Sequence, residues 1–202
     1  MTSMKFRVLF GVTFLVSQVL LSSCVSNLES DVVLTPTISQ DTPYKEALQK
    51  ATRDRTVFKN FETKAIVHAT YLSPEFRAAF AERLNRIFKR SDVHFDDTKD
   101  KAAFMVSLEV PGIWYERNDL TDPYQWTITM DSDQGPIRPV MIKRILDKER
   151  WRPYFTHVTE WSGEFLVVFD APSVNPNSDQ MVVKTPVKLT IANADAQLNL
   201  TW

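Results

Sequence analysis

The chain reads as an α+β protein: mainly an antiparallel β-sandwich, with one or two helices near the N-terminus of the folded part. Three observations predict this. From Ala102 to Trp202, apolar side chains recur at every second residue in short runs. That spacing gives a strand one buried and one solvated face. The runs are separated by brief turn signals, which suits antiparallel pairing. Only the stretch around Ser73–Ser91 carries a strong helical period.

The elements follow in order. Residues 25–43 are rich in Ser, Thr, Asp and Pro without a clean period and read as a tether. Within it, Val32, Val33 and Leu34 suit a short edge strand. Asp41 or Thr42 suits the cap of a helix with Pro43 in its first turn. Tyr44, Ala47, Leu48 and Ala51 then recur at helical spacing, predicting a helix over about 43–54. At Lys64 the period becomes two: Ala65, Val67, Ala69 and Tyr71 share one face, and Lys64, Ile66, His68 and Thr70 the other.

In the next segment Ser73 fits an N-cap, Pro74 the first helical position and Glu75 the positive end of the dipole. Phe76, Phe80, Leu84, Ile87 and Phe88 form its apolar stripe, and Lys89 and Arg90 sit at its C-terminal end. An acidic loop over 92–101 leads to a strand in which Phe104, Val106, Leu108 and Val110 alternate with Met105, Ser107 and Glu109. Tyr124, Trp126, Ile128 and Met130 mark another strand, and Asp131–Pro136 a turn. Residues 137–146 fit helix or strand, with Pro139 weakening either. Tyr154–Trp161 and Glu164–Asp170 read as strands flanking a break at Ser162 and Gly163. Met181–Ile191 and Ala196–Trp202 read as the last two. Residues 44–202 are expected to share one core.

Composition narrows the function classes. With 44% hydrophobic and 24% charged residues the chain suits a packed domain. The formal charge of −1 gives no electrostatic footprint for nucleic acid, and none is expected as a partner. The four glycines, at 11, 112, 135 and 163, build neither a phosphate cradle nor a GxSxG elbow.

The start of the chain carries the sharpest signal. Lys5 and Arg7 precede an apolar run, Val8–Leu21, that is short for a membrane span of about 20 residues and suits a secretory signal. It ends in Leu21, Ser22, Ser23 and Cys24, which resembles the lipobox of bacterial lipoproteins at all four positions. The resemblance implies cleavage before Cys24, lipid on its thiol and its new amino end, and residues 1–23 as signal peptide. Val25, rather than Asp, follows the cysteine, which implies an outer-membrane address facing the periplasm in an organism that has one. An ordinary secretory signal or an N-terminal transmembrane anchor is the alternative. Cys24 is the sole cysteine, so the folded part has no disulfide and must be stabilised by its core.

Other chemistry is sparse. His68, His94 and His157 lack the spacing of a zinc site, and no metal is expected. Asp92, Asp96, Asp97 and Asp100, and Asp131 with Asp133, supply carboxylates but fit no EF-hand, so solvated loops are expected. Glu160 and Glu164 flank a turn without further support for glycosidase chemistry. Arg77, Arg83, Arg86, Lys89 and Arg90 suit a solvated helix face, or an acidic or lipid partner. Ile113, Trp114 and Tyr115 suit either a partner contact or a cap on the end of the sandwich.

The expectation is a membrane-anchored envelope lipoprotein that binds or scaffolds an envelope protein partner, without cofactor or catalysis. The rivals are a carrier or chaperone of a lipid or apolar ligand, and an envelope hydrolase. An apolar cavity would favour the first rival, and a cleft joining a histidine to carboxylates the second.

Overall fold

Alternation in the sequence becomes two antiparallel sheets in a computed structural model that describes residues 38–89, 98, 100–112, 119–171 and 186–202. The elements are α1 (Ile38–Ala51), β1 (Thr52–Lys59), β2 (Glu62–Tyr71), α2 (Pro74–Phe88), β3 (Ala102–Glu109), β4 (Thr127–Ser132), β5 (Gly135–Ile137), β6 (Met141–Ile145), β7 (Gly163–Phe169), β8 (Lys188–Ala192) and β9 (Gln197–Thr201). One sheet has the order β1-β2-β3-β7-β6 and the other β5-β4-β8-β9. Ile38–Trp202 forms one compact unit.

Two cores lie on either side of the five-stranded sheet. Between the sheets, Val67, Val106, Leu108 and Phe165 meet Ile128, Met130, Leu189 and Leu200. On the outer face, Met105 and Val168 meet Phe76, Phe80 and Leu84 of α2 and Tyr44 and Leu48 of α1. The molecule is thus an α+β fold in which a sandwich carries a helical layer on one side. The β-sheet with both faces covered explains why β3 is buried at seven consecutive residues, Ala102–Leu108.

Local signals survive well where they are steric. Ser73 caps α2, its Oγ accepting the Phe76 amide at 3.2 Å, with Pro74 next. Ala65, Val67, Ala69 and Tyr71 all face the inter-sheet core. Gly135, at φ 108°, closes the β4–β5 hairpin, and Ser132 Oγ donates to its carbonyl at 2.6 Å.

Several expectations change. α1 begins at Ile38 rather than about 43, inside the span read as tether, and ends at Ala51. Pro43 therefore lies within the helix, where a proline removes one hydrogen bond. What holds this end is tertiary: Asp41, read as a possible cap, is buried and gripped by two arginines of α2. Thr52–Lys59 is a strand that the sequence reading lacks. It is exposed along most of its length, and charged Arg53, Asp54 and Arg55 leave no alternation to detect.

Tyr154–Trp161 is not a strand. Successive turns fold it, with Phe155 N donating to Trp151 O at 3.0 Å and Val158 N to Phe155 O at 3.1 Å. Tyr154, Phe155 and Val158 enter the helical core instead. The ambiguous segment resolves as two strands in different sheets: Ile137 ends β5, and Met141–Ile145 pairs with β7. Pro139 sits in the crossover, where no ladder donor is needed. The strand read from Tyr124 starts at Thr127, because Asp122 Oδ1 accepts the Tyr124 amide at 2.9 Å and holds a turn. Of the α2 stripe, Phe76, Phe80 and Leu84 are buried and Ile87 is half-buried, while the Phe88 side chain lies outside the description.

Candidate functional site

Register assembles one polar row. Asp54 of β1 opposes His68 of β2, His68 opposes Ser107 of β3, and Ser107 opposes Glu164 of β7. Directly opposed residues share a face. This face is the one covered by the helices, since Met105 and Val168 lie on it. Ser107 and Glu164 are the polar interruptions in the apolar runs of β3 and β7, and that is the signal by which they could have been found.

The Glu164 end of the row is closed. Glu164 is 1% exposed, and both its oxygens are occupied: Ser107 Oγ donates to Oε2 and Ser162 Oγ to Oε1. Burial pushes the Glu164 carboxyl above the usual carboxylate range, against the opposing pull of the two hydroxyls and of Lys148. Lys148 fixes the adjoining loop, its Nζ donating to the carbonyls of Thr159 (3.1 Å), Glu160 (2.7 Å) and Ser162 (2.8 Å).

The histidine end is half-buried. The rings of His68 and His157 stack at 5.3 Å and 11°, and Phe155 meets His157 edge-on at 5.8 Å. His157 Nε2 is buried without a hydrogen-bond partner. Burial, with His68 beside it, lowers His157 to about 4. His68 is also lowered by burial, with Asp54 and Glu109 pulling the other way. Two histidines read as separate thus meet, although they stand 89 positions apart in the sequence.

This geometry does not build a nucleophile. Ser107 donates to Glu164 rather than to a histidine, and both side chains are sealed from solvent, so its hydroxyl is not presented to a substrate. Glu160 is exposed while Glu164 is sealed, which separates the two carboxylates in environment. Among the described residues no cluster of three or more His, Cys, Asp and Glu side chains is placed to hold a metal. Asp131 reaches Lys188 at 3.7 Å, and Asp133 is exposed.

Of the cations on α2, Arg77, Arg83 and Arg86 do not form a solvated face, whereas Lys89 is exposed and Arg90 lies outside the described residues. Arg83 binds Asp41 with Nε at 2.8 Å and the second nitrogen at 3.2 Å, and lies over the Tyr44 ring at 4.4 Å. Arg86 adds a contact to Asp41 at 3.3 Å. Arg77 donates to Leu72 O at 2.6 Å and to Thr98 O at 2.9 Å. These residues tie the helices to each other and to the chain beyond, a role that sequence spacing does not reveal.

A surface cleft of about 480 Å3 lies between the helices and the C-terminus, floored by Ala47, Ala51, Tyr71, Phe76 and Trp202. Glu46, Lys50 and Glu75 stand among its lining residues. Leu21, Ser22, Ser23 and Cys24 lie outside the described residues, as do His94, Asp92, Asp96, Asp97 and the Ile113, Trp114 and Tyr115 segment. No helix among the described residues is long and apolar enough to cross a membrane. Comparison with known protein families, curated proteins and solved structures finds no match to this chain.

Proposed function

We propose that the chain is an exported lipoprotein of a bacterial envelope, anchored through Cys24, whose folded domain binds or scaffolds other envelope components. The observation that carries this reading is the Leu21-Ser22-Ser23-Cys24 stretch, with the chain's sole cysteine at the position a lipobox requires. Two or more acyl chains there make anchoring stable, since each buried CH₂ contributes about 0.8 kcal/mol.

A binding role rather than catalysis is supported by the state of the polar row. Its carboxylate is sealed and doubly hydrogen-bonded, so a substrate has no path to it without local opening. A carrier role has less support, because bulky side chains fill the inter-sheet space: Phe104, Phe165, Phe169 and Met130 are all fully buried.

The test combines two measurements. Growth with an alkyne fatty acid should label the native chain and not a Cys24→Ser variant. Crosslinking in intact envelopes followed by mass spectrometry should then recover a reproducible protein partner. Unlabelled native chain would end the anchor reading. A small molecule co-purifying with the domain, with no partner recovered, would replace scaffolding by carriage.

A further inference from the structure

The β1–β2 hairpin ends in an unusual tip. Lys59 pairs with Glu62, which leaves Asn60 and Phe61 as a two-residue turn, at φ 53° and 62°. Turns with both central residues at positive φ favour Asn followed by Gly. Asn60 fits that rule and Phe61 does not, because a bulky side chain is strained in the left-handed region. The Phe61 ring gains nothing from folding in return: it is 108% exposed, and Phe58 beside it is 70% exposed. Stability therefore does not account for phenylalanine at this position. Strain kept at an exposed tip points to use.

A second tip lies alongside. Lys59 Nζ reaches Asp195 Oδ1, in the β8–β9 turn, at 3.1 Å. Tyr124 shares a shallow cleft with Asn193, Ala194 and Asp195, and is itself 98% exposed. Phe58 at the end of β1, Phe61 in the β1–β2 turn and Tyr124 in its own turn are thus exposed on segments that meet at the β8–β9 turn. Lys59 is paired with Asp195 and Lys64 with Glu62, so the local charge is balanced.

We infer that this aromatic tip inserts into the headgroup layer of a lipid bilayer, docking the domain onto the membrane that holds its anchor. The inference rests on the Cys24 anchor reading in one respect. Ile38 follows Cys24 by 14 residues, a link of at most about 50 Å when fully extended. That exceeds the roughly 40 Å across a domain of this size, so the tether permits the tip to reach the same bilayer. Separate projecting rings with a neutral surround suit an interfacial lipid layer, which accepts each ring individually. The anchor raises the local concentration of such a weak contact.

The test uses the mature chain carrying Cys24→Ser, which has no lipid, with phosphatidylcholine vesicles as probe. All residues of the compact unit are retained. The chain should sediment with vesicles, and high salt should leave this unchanged because the contact is apolar. Joint replacement of Phe58, Phe61 and Tyr124 by Ser should lower partitioning by at least about tenfold. Phe61→Asn should bind less while melting at the same or a higher temperature, since Asn tolerates positive φ. A Phe61→Trp variant should be quenched by brominated acyl chains.

Absence of vesicle binding, or unchanged binding by Phe61→Asn and the triple variant, would overturn the proposal. Crosslinking of the tip to a protein without vesicle binding would assign the surface to that protein instead, and overturn it as well. The state of native Cys24, read by mass spectrometry, is a separate result. Acylated Cys24 with no vesicle binding removes only the tip, whereas binding by a chain that is never acylated removes only the anchor.

Discussion

His157 lies flat against His68, with ring centroids 5.3 Å apart and planes within 11° of each other. Neither ring gains charge easily in this position. His157 is mostly buried, its Nε2 has no partner, and a proton added there would face a second imidazole. Burial and the neighbouring ring together favour the neutral form of His157, and burial favours the neutral form of His68.

The pH dependence follows in sign and size. His157 titrates near 6.5 when unfolded and is lowered to about 4 in the fold. Its contribution is present above the unfolded value and lost as pH falls toward the folded one. Between about pH 7 and pH 5 this should remove about 2 kcal/mol of stability. Urea denaturation at the two pH values measures it. His157→Gln should flatten the dependence, and an equally steep loss in that variant would show that another group is responsible.

Glu164 has the opposite sign. Its folded carboxyl is raised, so its contribution is complete below the unfolded value and declines as pH rises through the folded one. Glu164→Gln keeps the volume and removes the charge. The variant should gain stability relative to the native chain as pH rises, and the gain should vanish in acid. A variant that is less stable at every pH would mean that the ionised carboxylate is needed by Ser107 and Ser162.

Asp41 is the counterion of two arginines at the helix–helix contact. Asp41→Ala should cost about 3 kcal/mol, because it leaves Arg83, itself largely buried, without its carboxylate. The cost should appear as a lower denaturant midpoint with an unchanged slope. A loss under about 1 kcal/mol would place this pair in the class of exposed salt bridges.

Trp202 closes the C-terminal strand. Its ring packs on Phe104 at 5.2 Å and on Tyr71 at 6.2 Å, and its Nε1 donates to Ala51 O. Deleting Leu198–Trp202 removes β9 from the edge of its sheet together with two buried leucines. Cooperative thermal unfolding should be lost, as followed by circular dichroism. A deletion variant with an unchanged melt would show the strand to be dispensable. Trp202→Ala alone should lower stability by about 3 kcal/mol, somewhat less than a fully buried Trp because the ring is partly exposed.

What the sequence by itself determined is what neighbouring residues can decide among themselves. The period of two over Ala65, Val67, Ala69 and Tyr71 set a buried face, because a strand turns successive side chains to opposite sides. Ser73 and Pro74 set the start of α2, because capping and a fixed φ act within one turn. The same locality let the mainly-β, two-sheet class be read, along with the stretch ending at Cys24.

The tertiary structure decided whatever depends on distant partners. β1 has almost no apolar face, and it becomes a strand because β2 offers a free edge. Tyr154–Trp161 loses its strand because turns deliver Phe155 to the helical core. α1 extends to Ile38, past a proline, because Arg83 and Arg86 wait for Asp41 across 42 and 45 residues. The row from Asp54 to Glu164 and the stacked histidines exist only through strand register. A one-residue slip would turn each of these side chains to the other face, and no local pattern fixes which strands become neighbours.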